Sequence, residues 1–261
     1  MIHATAIVDP SAELGDVEIG PYAIVGPNVR LHDGVRLGAH AVIDRDTEIG
    51  PRTVLHPHAV LGGPAQDLKD DPSVTTRLRV GADNVFREFV TAHRGTASGR
   101  VETVIGDRNY FMANSHVAHD CVVGNDTMFA NSAAIAGHVE VGDGAVLGGL
   151  CAVHQNARIG RFTMIGGGAM CAQDVPPFTL AQGDRARLYG VNIIGLRRHG
   201  LKDETISVLK EAWRTLFVSD LPRKTAINRV EESAGHVPEV AELITFLRAS
   251  ARGVCRVGVA T

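Results

Sequence analysis

The sequence predicts a parallel β-helix over residues 1–186, followed by a smaller helical domain over residues 187–261. Three observations favour this fold class. An aliphatic residue recurs every six positions, a glycine often follows it directly, and a small residue stands four places after it. Beyond residue 186 this period gives way to the spacing of amphipathic helices.

The six-residue period indicates short strands joined by tight turns. A helix places neighbouring side chains three or four residues apart, which does not match this period over a long stretch. Stacked coils of strand and turn would bury one apolar core and pair their strands about 4.8 Å apart. The repeating positions are Ile19, Val25, Leu31, Leu37, Ile43, Ile49, Leu55, Leu61, Val80, Phe86, Ala92, Ile105, Phe111, Val117, Val123, Phe129, Ile135, Val141, Leu147, Val153, Ile159, Ile165 and Cys171.

Two segments, residues 64–77 and 95–102, interrupt the period. We expect both to project from the coils as loops. Loops of this kind often carry binding and catalytic residues, because a rigid scaffold holds them while their sequence varies.

The last third of the chain has helical spacing. One apolar face is predicted from Ile206, Leu209, Trp213, Leu216 and Phe217, and another from Val240, Leu243, Ile244 and Leu247. Pro238 suits the first turn of the second of these helices. A shorter helix is expected over residues 225–232.

Composition excludes several classes of protein. A net charge of -3 argues against nucleic-acid binding. No apolar stretch is long enough to cross a bilayer, so we expect no membrane insertion. Residues 1–10 lack a basic region followed by an apolar one, so no signal peptide is expected. Cys121, Cys151, Cys171 and Cys255 show no paired CxxC spacing, which is typical of free thiols in a cytoplasmic protein.

Histidines form the main candidate site. If one coil takes eighteen residues, His119, His138 and His154 fall at nearly the same place in successive coils, with His116 in the coil of His119. Such residues are often just solvated turn positions. Two functional interpretations stay open from the residues alone: a zinc site, or a site with a histidine general base for an anionic or carbonyl-bearing substrate.

Six motifs bear on this choice: residues 93–96 (HRGT), 114–121 (NSHVAHDC), 136–139 (AGHV), 152–155 (AVHQ), 173–177 (QDVPP) and 190–193 (GVNI). His116 and His119 are three apart, whereas the zinc-dependent β-helix enzymes usually space their ligands by five. In order, in spacing and over essentially the whole chain, the six motifs together resemble the UDP-N-acetylglucosamine O-acyltransferases.

The resemblance implies a left-handed β-helix with three hexapeptides per coil, a hand opposite to that of ordinary parallel crossovers. It also implies transfer of a 3-hydroxyacyl chain from acyl carrier protein to the 3-hydroxyl of UDP-N-acetylglucosamine, the first step of lipid A synthesis. No metal or cofactor is expected. The family forms homotrimers with sites between neighbouring subunits.

The same resemblance assigns roles to single residues. His119 matches the general base, since an imidazole with a pKa of about 6.5 suits proton transfer at neutral pH. Asp120 matches a residue that orients or charges this base, although aspartate is also common in turns. Gly137 matches the donor of a backbone N–H to the developing oxyanion.

Other residues match positions that bind substrate. The substrate-positioning set is Gln66, Asp67, Lys69, His93, His116, His138, His154 and Gln155, with Asn192 and Arg198 at the nucleotide end. Gly167 and Met164 match positions that limit acyl-chain length in an outer groove. The basic residues Arg185, Arg187, Arg197, Arg198, His199 and Lys202 form a candidate docking patch for the acidic acyl carrier protein, against one acid, Asp184.

Three positions depart from the familiar pattern. Many members carry glutamate at Ile194, histidine at Arg185 and arginine at His199. An isoleucine cannot accept a hydrogen bond from a ribose hydroxyl, so a UDP-sugar with a 3-amino group stays an alternative acceptor. The N-acyltransferase later in the pathway is another alternative. It shares the hexapeptide repeat but usually has an extra N-terminal domain. A zinc-dependent hydratase and a scaffold without catalysis are the remaining alternatives.

Overall fold

The computed structural model describes residues 1–258. Residues 7–191 form three sheets, parallel except for the last strand of the third, joined by short turns at three corners, so that each coil has three sides. The first sheet consists of Ile7–Val8, Ile24–Val25, Val42–Ile43, Val60–Gly63, Thr91–His93, His116–Val117, Ala134–Ile135, Ala152–Val153 and Met170–Cys171. The second consists of Glu13–Leu14, Arg30–Leu31, Thr47–Ile49, Arg77–Val80, Glu102–Ile105, Val122–Val123, Glu140–Val141 and Arg158–Ile159. The third consists of Glu18–Ile19, Arg36–Leu37, Val54–Leu55, Val85–Phe86, Tyr110–Phe111, Met128–Phe129, Val146–Leu147, Met164–Ile165, Thr179–Gln182 and Arg187–Val191.

The coils have the predicted length. His116 pairs with Ala134, Ala134 with Ala152, and Ala152 with Met170, each partner eighteen residues further along the chain. Every residue of the predicted repeat is buried. Small residues such as Ser115, which the sequence places four positions after each aliphatic residue, are buried as well. The hexapeptide repeat therefore forms the core of the β-helix, as predicted.

The three corners are numbered according to the sheets that they join. The first corner leads from the third sheet to the first, the second corner from the first sheet to the second, and the third corner from the second sheet to the third. A residue with φ between 47° and 67° recurs at these turns, as at Ser132, Asp120 and Asp126. These backbone conformations let the chain turn sharply within four residues.

Both interruptions of the repeat leave the coil at the second corner. One connects strand Val60–Gly63 to Arg77–Val80, and the other connects Thr91–His93 to Glu102–Ile105. The Asp70 carboxylate accepts a hydrogen bond from the Ala97 N–H at 2.9 Å, which ties the two loops together. A β-bulge shifts the register between Leu61 and Gly63 where the first insertion begins, while the paired strands Arg77–Val80 and Glu102–Ile105 keep a continuous register.

The chain leaves the β-helix through an antiparallel pair. Strand Arg187–Val191 pairs with Thr179–Gln182 and extends the third sheet. The domain boundary between residues 186 and 187 stays a prediction. The helices that follow are Ile193–Arg198, Asp203–Trp213, Arg223–Ala234 and Pro238–Arg248, with a π-helical turn at Arg214–Val218.

The helical part differs from expectation in two places. The short helix Ile193–Arg198 was not predicted, and the helix predicted through Phe217 ends at Trp213 and continues as the π-helical turn. The helix expected over residues 225–232 is longer, Arg223–Ala234. No helix among residues 1–258 is long and apolar enough to span a membrane.

The helices pack on the last coils around a second apolar cluster. Phe178 belongs to this cluster, together with Leu209 and Leu243. The buried Asp174 carboxylate accepts hydrogen bonds from the Arg158 N–H at 2.9 Å and from Ser250 Oγ at 2.7 Å. This carboxylate therefore fixes the C-terminal segment against the β-helix.

Candidate active site

A cluster of hydrogen-bonded polar residues lies at the second corner. Its centre is Asp120, which is fully buried. The carboxylate accepts hydrogen bonds from Thr96 Oγ1 at 2.6 Å, from the Arg100 N–H at 2.7 Å and from the Thr96 N–H at 3.1 Å. His119 Nδ1 lies 2.8 Å from Oδ2 of the same carboxylate.

Asp120 is held in its ionised form. Burial alone would raise its pKa, but the hydrogen bonds from Thr96, His119 and Arg100 outweigh burial and lower the pKa of the carboxyl. An ionised carboxylate only accepts hydrogen bonds. His119 must therefore carry a proton on Nδ1, which leaves Nε2 as the basic nitrogen.

The His119 ring is buried and tightly placed. It packs edge-on against His138, with ring centroids 5.1 Å apart. A β-carbon added at Gly137 would lie 2.6 Å from His119 Nε2, so only glycine leaves room for the ring. The Gly137 N–H has no hydrogen-bond partner among residues 1–258. A basic nitrogen and an unused N–H donor therefore belong to adjacent coils at one corner.

Ligand atoms of His119, Asp120 and His138 also lie within 4.8 Å of one another, close enough to hold a metal ion. The hydrogen bonds that these residues already form favour a general base over a metal site. Both oxygens of Asp120 already accept hydrogen bonds, and His119 Nδ1 is occupied by the carboxylate. A metal would have to displace these bonds.

His93 and His116 form a second pair on the first sheet, with His116 in the coil of His119 and His93 in the preceding coil. Their rings meet at 4.9 Å, edge to face, and His116 Nδ1 lies 2.7 Å from Thr91 Oγ1. Burial, with smaller contributions from His116, His119 and Arg94, lowers the pKa of His93 to about 4. Burial and the charge of His119 lower the pKa of His116. Both rings are therefore neutral at neutral pH and act as hydrogen-bonding groups.

The predicted loop residues reach the same corner. Gln66 and Lys69 are exposed, and the half-buried Asp67 accepts a hydrogen bond from the Lys69 N–H at 2.9 Å. The loop that carries them projects from the second corner, beside the histidines.

His154 and Gln155 lie in the coil next to Gly137, because the Asn156 N–H donates to the Gly137 carbonyl at 3.1 Å. The sequence predicts His154 in line with His119 and His138. In the structure it follows the first sheet slightly earlier in its coil, and its Nδ1 lies 3.2 Å from Arg252 Nη2.

The nucleotide-end residues lie at the third corner. Asn192 caps helix Ile193–Arg198: its Oδ1 accepts from the Gly195 N–H at 3.1 Å, and its Nδ2 donates to the Phe162 carbonyl at 2.9 Å. His199 stacks on Phe162 with centroids 4.2 Å apart. Within one chain, Asn192 is therefore not brought to the corner of His119.

Arg198 and Ile194 lie on that same helix. Arg198 is exposed and forms no ion pair within residues 1–258. Ile194 is 67% exposed, so its side chain faces solvent in the single chain. Both are available to a neighbouring molecule.

Gly167 lies at the first corner, on the outer surface as the sequence predicts. A β-carbon there would meet only the Gly149 carbonyl oxygen, at 3.4 Å. The half-buried Met164 lies on the third sheet, paired with Leu180. Between the first and second corners the first sheet presents Ala134 and Ala152, both half-buried.

The predicted basic patch is divided. Arg185 and Arg187 line a cavity with His154, whereas His199 packs on Phe162 at the third corner. Arg197 forms an exposed ion pair with Asp203 at 2.8 Å. The single chain therefore presents two groups of basic residues.

Three residues of the cluster were not predicted as functional. Thr96 and Arg100 hold Asp120, and Thr91 holds His116. Thr96 belongs to the motif at residues 93–96, but its hydrogen-bond partner is 24 residues away in the chain. Only the loop at the second corner brings the two together.

Two family models match parts of the chain. The family described as "Udp N-acetylglucosamine O-acyltransferase; Domain 2" matches residues 174–255, and the bacterial transferase hexapeptide family matches residues 102–137. The chain is similar to an acyl-[acyl-carrier-protein]–UDP-N-acetylglucosamine O-acyltransferase of Thermodesulfovibrio yellowstonii, with 48% identity over 98% of this chain and 99% of the relative.

Two solved structures have the same architecture. LpxA from Acinetobacter baumannii superposes with a TM-score of 0.94 at 42% identity, covering 98% of this chain and 99% of that one. The UDP-N-acetylglucosamine acyltransferase LpxA from Bacteroides fragilis superposes with a TM-score of 0.95 at 35% identity, covering 98% and 100%. The fold is accordingly the predicted left-handed β-helix with C-terminal helices, and the chain belongs to the family of acyl-[acyl-carrier-protein]–UDP-N-acetylglucosamine O-acyltransferases.

Proposed function

We propose that this chain transfers a 3-hydroxyacyl group from acyl carrier protein to the 3-hydroxyl of UDP-N-acetylglucosamine, the first step of lipid A synthesis. The observation that carries the proposal is the Asp120–His119 hydrogen bond, which leaves His119 Nε2 basic beside the unused N–H of Gly137. The test is an assay of the purified protein with 3-hydroxyacyl carrier protein and UDP-N-acetylglucosamine. Absence of an O-acylated sugar product would reject the proposal.

The reaction follows from these groups. His119 Nε2 takes the proton of the sugar 3-hydroxyl as its oxygen attacks the thioester carbonyl carbon. The Gly137 N–H donates to the oxyanion that forms, a contribution of about 3 kcal/mol. The C–S bond then breaks, and the thiolate of the carrier arm receives the proton from His119. The Asp120 carboxylate stabilises the imidazolium between these two transfers.

A direct transfer fits the state of the nearest thiol. Cys121 is buried, and burial raises the pKa of its thiol to about 12. A thiolate nucleophile is therefore absent at neutral pH. We assign no covalent acyl-enzyme intermediate to this site.

The proposal includes assembly as a homotrimer in the cytoplasm. Asn192 and Arg198 lie at the third corner, away from His119, so a neighbouring subunit would have to supply the nucleotide-end contacts. All four cysteines are free thiols, which supports a reducing compartment. Gln66, Asp67, Lys69, His93, His116, His138, His154 and Gln155 would then position the sugar and its substituents.

A 3-amino UDP-sugar is the second candidate acceptor. The exposed side chain of Ile194 offers no acceptor for a ribose hydroxyl, so the nucleotide end departs from the family pattern and this acceptor stays open. Measuring kcat/KM for the hydroxyl and amino acceptors side by side decides between them. A higher value for the amine would assign the chain to amide formation.

We predict that activity requires no metal. Asp120 and His119 already satisfy one another, so a bound ion would cost the hydrogen bonds that orient the base. Dialysis against EDTA should leave kcat unchanged, with metal content measured in the same sample. Loss of activity on chelation, restored by zinc, would support the zinc-dependent hydratase class instead.

We predict that salt weakens the use of acyl carrier protein. Exposed ionic contacts lose strength as the Debye length falls from about 10 Å at 0.1 M salt to about 3 Å at 1 M. KM for the acyl donor should therefore rise with salt. Arg187→Glu and Lys202→Glu, one from each basic group, should raise it further at low salt. Lys224→Glu is the matched control on helix Arg223–Ala234, and equal KM values in all three variants would contradict docking at either group.

We predict that Gly167 sets a preference for long acyl chains. Gly167 is exposed at the first corner, and its side chain is a single hydrogen atom. A groove along the outer surface is therefore not blocked at this position. Each further buried CH₂ contributes about 0.8 kcal/mol, or about fourfold in kcat/KM. Gly167→Met should shift the optimum to shorter donors in a series of acyl lengths. An unchanged optimum, or a wild type that prefers medium-length donors, would contradict the assignment. Met164 is the other matched residue, and it would limit the acyl chain at the far end of the groove.

A further inference from the structure

A cavity of about 1030 Å³ opens beside His154, where the β-helix meets the C-terminal segment. Four arginines line it: Arg185, Arg187, Arg252 and Arg256. Arg252 and Arg256 belong to the C-terminal segment and lie outside the basic patch predicted from the sequence. Asp184 is the one acidic residue in the lining, so the cavity carries a strong positive charge.

The cavity begins one coil from the candidate active site. The coil that carries His154 hydrogen-bonds to Gly137, and coils of the β-helix stack about 4.8 Å apart. The Ala186 N–H donates to the Met170 carbonyl at 2.8 Å, which places the segment with Arg185 on the last coil. The cavity therefore lies over the last coils of the first sheet and extends to Ala172 and Gln173 at the second corner, within a few coil spacings of the reacting groups.

The C-terminal segment fixes the cavity in place. The Leu188 N–H donates to the Arg256 carbonyl at 2.9 Å, and the Cys255 N–H donates to the Asp174 carbonyl at 2.9 Å. Arg252 Nη2 donates to the Ala172 carbonyl at 3.2 Å and lies 3.2 Å from His154 Nδ1. The guanidinium of Arg252 thus connects the cavity to a residue of the predicted sugar site.

Two of the guanidinium groups have unused donors. The side chains of Arg185 and Arg256 are exposed and form no hydrogen bond or ion pair with any part of the chain that the structure describes, residues 1–258. Four positive charges around one concave surface repel each other, and an anion bound between them would offset this repulsion. The planar fork of arginine matches the oxygens of phosphate, which it binds through two parallel hydrogen bonds.

We propose that this cavity, lined by Arg185, Arg187, Arg252 and Arg256, binds phosphate oxygens of a substrate during acyl transfer. The inference rests on the proposed function, which offers two sources of this chemistry. One is the diphosphate of the nucleotide-sugar acceptor, and the other is the phosphodiester of the pantetheine arm that carries the acyl chain. The diphosphate is attached to carbon 1 of the sugar whose 3-hydroxyl reacts, whereas the phosphodiester lies at the end of the pantetheine arm opposite the thioester.

The test measures binding without turnover, on the full-length protein. The probes are UDP for the acceptor, 4′-phosphopantetheine for the donor, and uridine as a phosphate-free control. Arg185→Gln, Arg256→Gln and the double variant are compared with Arg229→Gln, an exposed arginine of helix Arg223–Ala234 that removes the same charge elsewhere. Thermal unfolding checks that each variant is folded.

We expect the double variant to lose at least about tenfold in affinity for one of the two phosphate probes, since a hydrogen bond to a charged group is worth this much or more. Weaker UDP binding identifies the acceptor diphosphate, and weaker phosphopantetheine binding identifies the donor arm. Unchanged affinity for both probes, relative to Arg229→Gln, overturns the inference. Failure of the proposed function would instead appear in the wild type, as absence of acylated sugar.

Discussion

Replacing His119 by alanine is expected to lower kcat by about 100- to 10,000-fold, the usual contribution of a positioned general base. The substitution removes the imidazole of His119. Asp120 holds Nδ1 of this ring, which leaves Nε2 as the basic nitrogen. The measurement is the single-turnover rate of acyl transfer with saturating donor and acceptor. Because the reaction loses proton transfer rather than binding, KM for the acceptor should change far less than kcat.

His236 offers a matched control. It is exposed and lies between the last two helices, away from the corner of His119. His236→Ala should retain wild-type activity, and both variants should keep the far-ultraviolet circular dichroism of the β-helix. A folded His119→Ala protein with near-normal turnover would remove His119 from the role of base.

Much of the β-helix could be predicted because its rules are local. The position of Val117, Ile135 and Val153 in the repeat fixes which residues face inward, and a coil of eighteen residues then fixes which residues stack. That arithmetic was enough to bring His119 and His138 together. The same reasoning located both loops, although it could not tell that they share one corner with these histidines.

What could not be predicted depends on contacts that have no period. Thr96 and Arg100 bind Asp120 because a loop folds back over the corner. Arg252 reaches His154 because the C-terminal segment pairs with the end of the β-helix, 98 residues further along the chain. No spacing rule relates such residues, so the arginine-lined cavity was not visible in the sequence.

One helix of the C-terminal part also could not be predicted from the sequence. The helix Ile193–Arg198 has only six residues, too few to establish a helical period. Its start depends on Asn192, whose side chain bonds both to Gly195 and to the Phe162 carbonyl of the β-helix. A cap that is anchored by a tertiary contact cannot be recognised from propensity alone.

Replacing Gly137 by alanine is expected to lower kcat about 100-fold, because misplacing a catalytic group by about 1 Å has an effect of this size. The backbone of Gly137 does not adopt a positive φ, so alanine is compatible with its conformation. The added methyl group would lie 2.6 Å from His119 Nε2 and would push the imidazole away from its position. Gly149→Ala is the control, since its β-carbon would meet only the Asn131 carbonyl oxygen at 3.4 Å.

A double variant separates this steric effect from loss of the Gly137 N–H, which alanine retains. In His119→Ala/Gly137→Ala the ring is gone, and the methyl group has nothing to displace. If Gly137 acts by leaving room for the base, the double variant should be no slower than His119→Ala alone, and the two losses will not add. Additive losses would mean that the methyl group disturbs the oxyanion site or the substrate directly, and that Gly137 is required for a reason other than the position of His119.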